Sequence, residues 1–303
     1  MDLTEYCQGG NLPALQAYCS RVGVTAVHVR KSYALQTACA TGRLEIARWL
    51  QHTFQLTAAD AQVHNNHALR YACAHGYITV AQWLQQTFRL TAADARAACA
   101  LREVCERGHL EIARWLQQTF QLNASDARIE DNYALRWACQ NGHLEVARWL
   151  QQTFQLTTAD ARARDNHALR TACEFGNLEV ARWLQQTFEL TTADAARGYY
   201  ALRWACSNGH LEIVRWLQRT WGIPPDVLVA AASCNITAAS AVYLRGLRAL
   251  RWSPRTHADF PLHVRRLALH LLLINQRLTR EPGELPYLPP ELWHHLLSYL
   301  PAW

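Results

Sequence analysis

The sequence contains almost no lysine, and it lacks segments that would direct a chain to or across a membrane. Lys31 is the only lysine among 303 residues, so arginine carries nearly all of the positive charge behind the net charge of +6. No basic stretch followed by an apolar run opens the chain, which argues against a signal peptide. The longest apolar candidate for a membrane span, residues 267–274, is interrupted by His270 and too short to cross a bilayer. We therefore expect a protein of the reducing cytoplasm that does not enter a membrane.

Sequence motifs that carry catalytic chemistry are missing as well. There is no Gly-rich phosphate loop, no nucleophile elbow and no acid pair on a shared motif. The ten cysteines include no Cys-x-x-Cys pair and have no histidine at zinc-ligand spacing, so neither disulfides nor a metal site are expected. Free cysteines of this kind pack as small hydrophobes. The sequence therefore predicts no enzyme activity, no cofactor and no bound metal.

The sequence does contain a segment, ALRWACQNGHLEVARWLQQTFQL at residues 134–156, that recurs along most of the chain. In every copy a cysteine is followed by a glycine and then by a tryptophan, and the copies step by 34, 32, 34, 34 and 33 residues. A period in this range predicts a solenoid whose units bury their faces only against their neighbours. The three series are Cys39, Cys73, Cys105, Cys139, Cys173 and Cys206; Gly42, Gly76, Gly108, Gly142, Gly176 and Gly209; and Trp49, Trp83, Trp115, Trp149, Trp183 and Trp216.

Each unit is predicted to contain two helices and a structured connector. Residues 134–140 fit a short helix, Asn141-Gly142 is typical of a turn, and apolar residues recur at helical spacing from Leu144 to Phe154. The Thr157-x-x-Asp160 spacing matches a capping box, so the connector is expected to contain its own turn of helix. We divide the chain into a degenerate N-terminal capping repeat (1–31), six repeats (32–222), a degenerate C-terminal repeat (223–252) and a C-terminal helical region (253–303).

The unit resembles the ankyrin repeat over about residues 5–245. His167-Ala-Leu-Arg170 takes the place of the Thr-Pro-Leu-His opening, Ala172-Cys173 replaces an Ala-Ala pair, and Gly142-His143 matches the Gly-His turn. The resemblance implies an all-α ankyrin-like repeat solenoid, with degenerate capping repeats and a C-terminal helical segment, that binds a target protein on its concave surface. Such a protein is expected to be a monomer.

Two departures from the ankyrin pattern bear on the connectors. No Thr-Pro opens the first helix, and we expect Asn66, Asn132 and Asn166 to cap it instead. Phe154 and its counterparts stand where the pattern has a helix-ending glycine. The connector is therefore either the family's β-hairpin finger or a short helical turn.

The positions that change from copy to copy are candidates for target recognition. Two slots near the end of the first helix hold large or polar side chains, and the resemblance places the slot before the glycine on the concave side. Aromatic residues dominate the energetics of protein interfaces. The alternative is that these aromatics fill gaps between repeats. The predicted partner-binding residues are Tyr71, His75, Glu103, Arg107, Trp137, Gln140, Asn141, Phe175 and Trp204.

Two rows of arginines could form basic stripes that follow phosphates, which makes nucleic-acid binding a third, weaker hypothesis. Acidic rows run beside them and favour ion-pair ladders between repeats. The arginine rows are Arg70, Arg102, Arg136, Arg170 and Arg203, and Arg48, Arg114, Arg148, Arg182 and Arg215. The acidic rows are Glu45, Glu111, Glu145, Glu179 and Glu212, and Asp60, Asp94, Asp126, Asp160 and Asp194.

The C-terminal sequence LPPELWHHLLSYL resembles the opening of an F-box. Truncated F-box-like (PRANC-like) ends follow ankyrin repeats in poxvirus proteins, which implies a large DNA virus and a location in the host cytoplasm or nucleus. A SOCS box ends similarly, and both imply docking to a cullin-RING ubiquitin ligase through a Skp1-type or elongin-type partner. The alternative is a hydrophobic cap on the last repeat. The docking residues would be Leu288, Pro289, Glu291, Leu292, Leu296, Leu297 and Leu300.

The leading hypothesis is a substrate-recognition adaptor for such a ligase, in which the repeats hold the target and the tail docks the ligase. A plain ankyrin scaffold whose tail only caps the array is the alternative.

Overall fold

The computed structural model describes residues 2–31, 33–196 and 199–222. The expectations for residues 223–252 and 253–303, including the F-box-like segment, lie outside these described residues. Within them the regular structure is helical throughout and contains no strand, so the connectors between repeats are not β-hairpins. The helical alternative for the connectors is confirmed.

Three helices open the chain, and six sets of helices follow. The opening helices are α1 (Leu3–Gly9), α2 (Leu12–Val22) and α3 (Ala26–Lys31). The first helices of the six sets are α4 (Ala34–Ala40), α7 (Val63–Ala74), α10 (Ala100–Arg107), α13 (Ile129–Gln140), α16 (Ala163–Glu174) and α19 (Tyr200–Ser207). The second helices are α5 (Leu44–Phe54), α8 (Ile78–Phe88), α11 (Leu110–Phe120), α14 (Leu144–Phe154), α17 (Leu178–Thr187) and α20 (Leu211–Trp221). Short connector helices join the sets: α6 (Ala58–Ala61), α9 (Ala92–Ala97), α12 (Ala124–Ala127), α15 (Thr158–Ala161) and α18 (Thr192–Ala196).

The core of the array is built from small and branched apolar residues that recur in every set. In the set formed by α13 and α14, the side chains of Leu135, Cys139, Ala147 and Leu150 are completely buried. All of the recurring cysteines are free and buried, as the packing interpretation predicts. Burial raises the pKa of the Cys206 thiol to about 11, so this thiol stays protonated and unreactive.

The turn between the two helices of a set is held by the turn of the next set. Gly142 has a φ of +79°, which ends α13 in the left-handed conformation that glycine adopts most readily. His109 and His210 each hydrogen-bond through Nε2 to a backbone carbonyl oxygen of the preceding set, of Ala74 at 3.0 Å and of Glu174 at 2.9 Å. These histidines therefore join the turns of neighbouring sets.

An unusual left-handed turn lies at the start of α7, α13 and α16, where the connector enters the first helix. Asn66 and the two residues before it have φ values of 55° to 56°, and the corresponding residues of α13 and α16 behave in the same way. Asparagine and aspartate tolerate this region better than most residues. The connector before α10 is two residues shorter, and only one residue is left-handed where it enters α10, Cys99 at a φ of 51°. Repeat length therefore decides whether this turn forms.

The prediction that Asn66, Asn132 and Asn166 cap the first helices is wrong. Their Oδ1 atoms are buried without a hydrogen-bond partner among the described residues, so they accept no helical N–H group. Because these asparagines lie in the left-handed turn, their side chains turn toward the following set. The Nδ2 of Asn66 donates to Asp94 at 3.3 Å, and that of Asn166 donates to Asp194 at the same distance.

Each second helix ends in an aromatic pair. The rings of Trp149 and Phe154 meet edge to face at 5.5 Å, and the same pairing recurs in the neighbouring sets. Phe154 is buried, and Gln155, with a φ of 49°, takes the left-handed position that follows α14. The aromatic residue thus contributes packing where the ankyrin pattern has a glycine.

Candidate protein-binding face

The first helices form one continuous face of the array. Each first helix from α4 to α16 packs directly against the first helix of the next set, whereas the second helices of the described array make few contacts with one another. This closer spacing places the first helices on the inner side of the described array, the side on which solenoids present extended binding surfaces. We call the exposed side of this row the first-helix face.

The predicted recognition residues differ in how accessible they are. Two large aromatic side chains are strongly exposed, Phe175 at 53% and Trp204 at 46%. The polar side chains of His75, Arg107 and Asn141 are also exposed. The remaining four are half-buried: Tyr71, Glu103, Trp137 and Gln140.

Tyr71 and Trp137 are tied into contacts within the array. Tyr71 lies between His67 and His75, with ring centroids 4.2 Å and 5.8 Å away. Trp137 stacks on Tyr133 at 5.2 Å, with an interplanar angle of 25°. For these two residues the gap-filling alternative is therefore supported. Phe175 and Trp204 have no aromatic or cation–π partner among the described residues, so their rings face the surroundings.

Asn141 has a structural role that its variable position did not reveal. Its Nδ2 donates to the backbone carbonyl oxygen of Glu106 in the preceding set at 2.7 Å. Asn208 makes the equivalent bond to Glu174, also at 2.7 Å. A side chain that already bonds the neighbouring set has less capacity to bind a target.

A network around Tyr133 joins the sets of α10 and α13. The hydroxyl of Tyr133 donates to Glu106 at 3.1 Å, and the guanidinium of Arg102 lies 4.8 Å from its ring centroid. Burial, together with the Glu106 carboxylate, raises the pKa of Tyr133 to about 12, so the hydroxyl remains a donor at neutral pH. Arg102 also pairs with Glu130 at 3.0 Å, across the same junction.

The junctions between connectors carry a ladder of ion pairs that the sequence analysis assigned to the wrong arginines. Arg96 donates to Asp126 at 2.6 Å, Arg128 to Asp160 at 2.8 Å and Arg162 to Asp194 at 2.7 Å, in each case from one set to the next. Arg30 contacts Asp60 in the same way at 2.8 Å. The signal was a recurring Asp-Ala-Arg tripeptide, whose arginine reaches the aspartate of the following copy.

The second-helix arginines pair within their own helices instead. Arg148 contacts Glu145 at 3.5 Å and Arg215 contacts Glu212 at 2.9 Å, each three residues apart and exposed. Pairs of this type contribute little to stability. The ladder predicted between repeats for this row is therefore wrong, because the glutamate one helical turn earlier is the nearer partner.

Each ladder aspartate serves two neighbours at once. One oxygen of Asp160 accepts from the backbone N–H and the hydroxyl of Thr157, at 2.8 and 3.0 Å, and the other accepts from Arg128. Burial alone would raise the pKa of Asp160, but the hydrogen bonds from Arg128 and Thr157 outweigh it and lower the pKa to about 2. The carboxylate is therefore ionised in the folded protein at all but strongly acidic pH.

A small cleft lies at the short connector. It has a volume of about 50 Å³ and is lined by Cys99, Arg102 and Tyr133, among others. No group of metal-ligating side chains is found in the part of the chain that the structure describes.

Comparison with known families identifies the repeats. The family model "Ankyrin repeats (many copies)" matches residues 98–151, and "Ankyrin repeats (3 copies)" matches residues 152–228. No curated protein matches the chain. Among the described ranges, no helix has the length and apolar character needed to cross a bilayer. Ankyrin repeats support protein–protein interaction. The described residues form an all-α repeat solenoid, and residues 98–228 match the ankyrin-repeat models.

Proposed function

We propose that this chain is a substrate-recognition adaptor for a cullin-RING ubiquitin ligase. In this proposal the first-helix face holds a target protein, and residues 286–303 dock the ligase. The observation that carries the binding half is the exposure of Phe175 and Trp204 on a face where Tyr71 and Trp137 are packed within the array. Side chains of this type dominate interface energetics when they are exposed and unpaired.

The docking half rests on sequence. The F-box-like segment carries Leu288, Leu292 and Leu296 at helical spacing, a pattern that suits an amphipathic helix laid in an apolar groove of a partner. The near absence of lysine is compatible with this role, because an adaptor with one lysine offers few sites for its own ubiquitination.

The test is a pull-down with purified Skp1-type and elongin-type proteins, using the full chain and a chain that lacks residues 286–303. We expect the full chain to retain one of them and the shortened chain to lose it. A Leu292→Ala/Leu296→Ala variant separates loss of the docking side chains from loss of the segment. If the full chain retains neither partner, the adaptor proposal fails and the plain scaffold takes its place.

A further inference from the structure

Five side chains at the junction of α16 and α19 form a distinct part of the first-helix face, which we call the aromatic–arginine patch. They are Arg170, Phe175, Tyr200, Arg203 and Trp204. Phe175 follows the last turn of α16, and Tyr200 and Trp204 lie one helical turn apart on α19, which packs against α16. All three aromatic side chains are about half exposed, at 53%, 46% and 46%.

The two arginines of the patch have no carboxylate partner among the described residues. The guanidinium of Arg170 lies over the ring of Tyr200, 5.3 Å from its centroid, and among the described residues its side chain makes one hydrogen bond, a long one of 3.4 Å to the carbonyl oxygen of Asp165. Arg203 is exposed and makes no side-chain hydrogen bond within the described part of the chain. Arg96, Arg128 and Arg162 of the ladder each pair with an aspartate, so these two arginines differ from them.

Three arginines act on the α16 side of the patch, and the same helix also carries the carboxylates of Asp165 and Glu174. Burial, together with the charges of Arg136, Arg170 and Arg164, lowers the pKa of His167, which precedes the patch on α16, to about 4. Three guanidinium groups therefore act on one ring. Such a field attracts carboxylates and repels cations.

We propose that the aromatic–arginine patch binds a segment of the target protein in which acidic side chains flank a large apolar one. The apolar side chain would pack among Phe175, Tyr200 and Trp204, and the carboxylates would pair with Arg170 and Arg203. This inference rests on the proposed function, since it names the kind of target that the first-helix face would hold.

The same chemistry fits nucleic acid less well. Tracking a phosphate backbone requires several accessible arginines in succession. The next arginines of the row toward the N-terminus are engaged, because Arg136 is 3% exposed and donates to the carbonyl oxygens of Glu130 and Asp131, while Arg102 pairs with Glu130. Two accessible arginines match a short acidic stretch of protein.

The test begins with selection of short random peptides displayed on phage against the full chain. We expect the enriched peptides to combine Asp or Glu with Trp, Phe or Leu. Affinity for a synthetic enriched peptide, measured by fluorescence anisotropy, should fall at least about tenfold for Trp204→Ala and for Arg170→Ala/Arg203→Ala. It should also fall when the acidic residues of the peptide are replaced by their amides.

Two control variants match these changes away from the patch. Arg148→Ala/Arg182→Ala removes the same charge from the second helices, and Tyr33→Ala removes another exposed aromatic ring. Both should retain the affinity within about twofold, as surface changes outside an interface usually do. Circular dichroism melts confirm that every variant is folded.

Several outcomes would overturn the inference. One is a selection that enriches no peptide, or only peptides without acidic residues. Another is an equal loss of peptide affinity in the patch and control variants. A third is tighter binding of oligo-dT than of the peptide through the same arginines at physiological salt. None of these outcomes affects the result of the ligase pull-down. If the chain retains a Skp1-type or elongin-type protein but gives one of these outcomes, the adaptor proposal stands and only the proposed kind of target is wrong.

Discussion

At the residue scale, the turn glycines meet two separate requirements, which Gly108 illustrates. Its φ is +82°, and a Cβ built on it would lie 2.5 Å from Nδ1 of His143 in the next set. The left-handed conformation alone costs a side-chain-bearing residue about 1–2 kcal/mol. The close approach of His143 adds a steric cost, so glycine is required at this position by both backbone and packing.

We predict that Gly108→Ala lowers the free energy of unfolding by about 2 kcal/mol or more, combining the backbone cost with the displacement of His143. Urea denaturation measures this loss. In a His143→Ala background, Gly108→Ala should cost less, because the steric clash with the imidazole is gone and only the backbone cost is left. Gly9→Ala is the matched control, because its Cβ would meet nothing within 4 Å. A loss as large at Gly9 would contradict the explanation.

The ladder aspartates also carry a prediction at this scale, which concerns acid. An unfolded aspartate has a pKa of about 3.9, whereas hydrogen bonds from Arg128 and Thr157 lower that of folded Asp160 to about 2 despite its burial. The folded state therefore binds fewer protons between these values. The stabilisation is fully present above the unfolded pKa and is lost as the pH falls through the folded one.

We predict that Asp160→Ala costs about 1–2 kcal/mol near neutral pH, since it removes both a cap and an ion pair. Arg128→Ala should cost less than about 1 kcal/mol, because it leaves the bonds from Thr157 intact. Guanidinium denaturation between about pH 7 and pH 2 should show the gap between wild type and Asp160→Ala closing toward acid. A gap that stays constant over this range would argue against an ionised cap.

At the element scale, a difference of two residues in length decides the shape of a connector. Three left-handed residues lie where the longer connectors enter α7, α13 and α16. Where the shorter connector enters α10, Cys99 is the one left-handed residue. Cysteine bears a Cβ, so its φ of 51° is strained there. Glycine would adopt the same conformation without that cost.

We therefore predict that Cys99→Gly is more stable than Cys99→Ala by about 1 kcal/mol, because the two differ mainly in how readily they occupy the left-handed region. Thermal denaturation of the two variants gives the comparison. The same pair at Cys105, buried inside α10, should show the opposite order, since a helix interior favours alanine. Equal stabilities of Cys99→Gly and Cys99→Ala would show that the backbone at position 99 leaves the left-handed region without a cost in free energy.

Much of the fold was predictable from the sequence because it depends on local pattern. The helix pair, the turn at Gly142 and the capping box at Asp160 follow from residues close in sequence. The partners of the ladder arginines and the orientation of Asn66 were not predictable from the sequence. Both depend on where the next set lies in space, which residues close in sequence do not determine. At the binding face, target recognition and gap filling were both open for these aromatics. The sequence could not tell that Phe175 and Trp204 are exposed whereas Trp137 packs against Tyr133.

At the scale of the whole molecule, some tryptophans pack inside the array and others are exposed on its surface. Trp183 is 9% exposed and meets Phe188 at 5.5 Å, while Trp204 is 46% exposed. We predict that Trp183→Ala lowers the free energy of unfolding by about 3–5 kcal/mol. Trp204→Ala should change it by less than about 0.5 kcal/mol, as at other surface positions. Chemical denaturation of both variants tests this, and a large loss at Trp204 would place that residue in the core.

One junction of the array departs from the others, because Gln62 and not an arginine donates to Asp94, at 2.8 Å. We predict that Gln62→Arg stabilises the chain by about 0.2–1 kcal/mol, the range for a partly exposed ion pair. Denaturation at low and high salt measures the gain, which should shrink as salt screens the charges. A salt-independent change would point to another cause.

The ladder also bears on how the array can change in length. Arg96, Arg128 and Arg162 each extend forward to an aspartate that is already fixed within its own connector. If residues 129–162 were removed, Arg128 would precede the connector that Arg162 now precedes and would meet Asp194 in the same way. A unit can thus be lost or duplicated by recombination while the ladder contact re-forms at the new joint, so this contact allows copy number to vary.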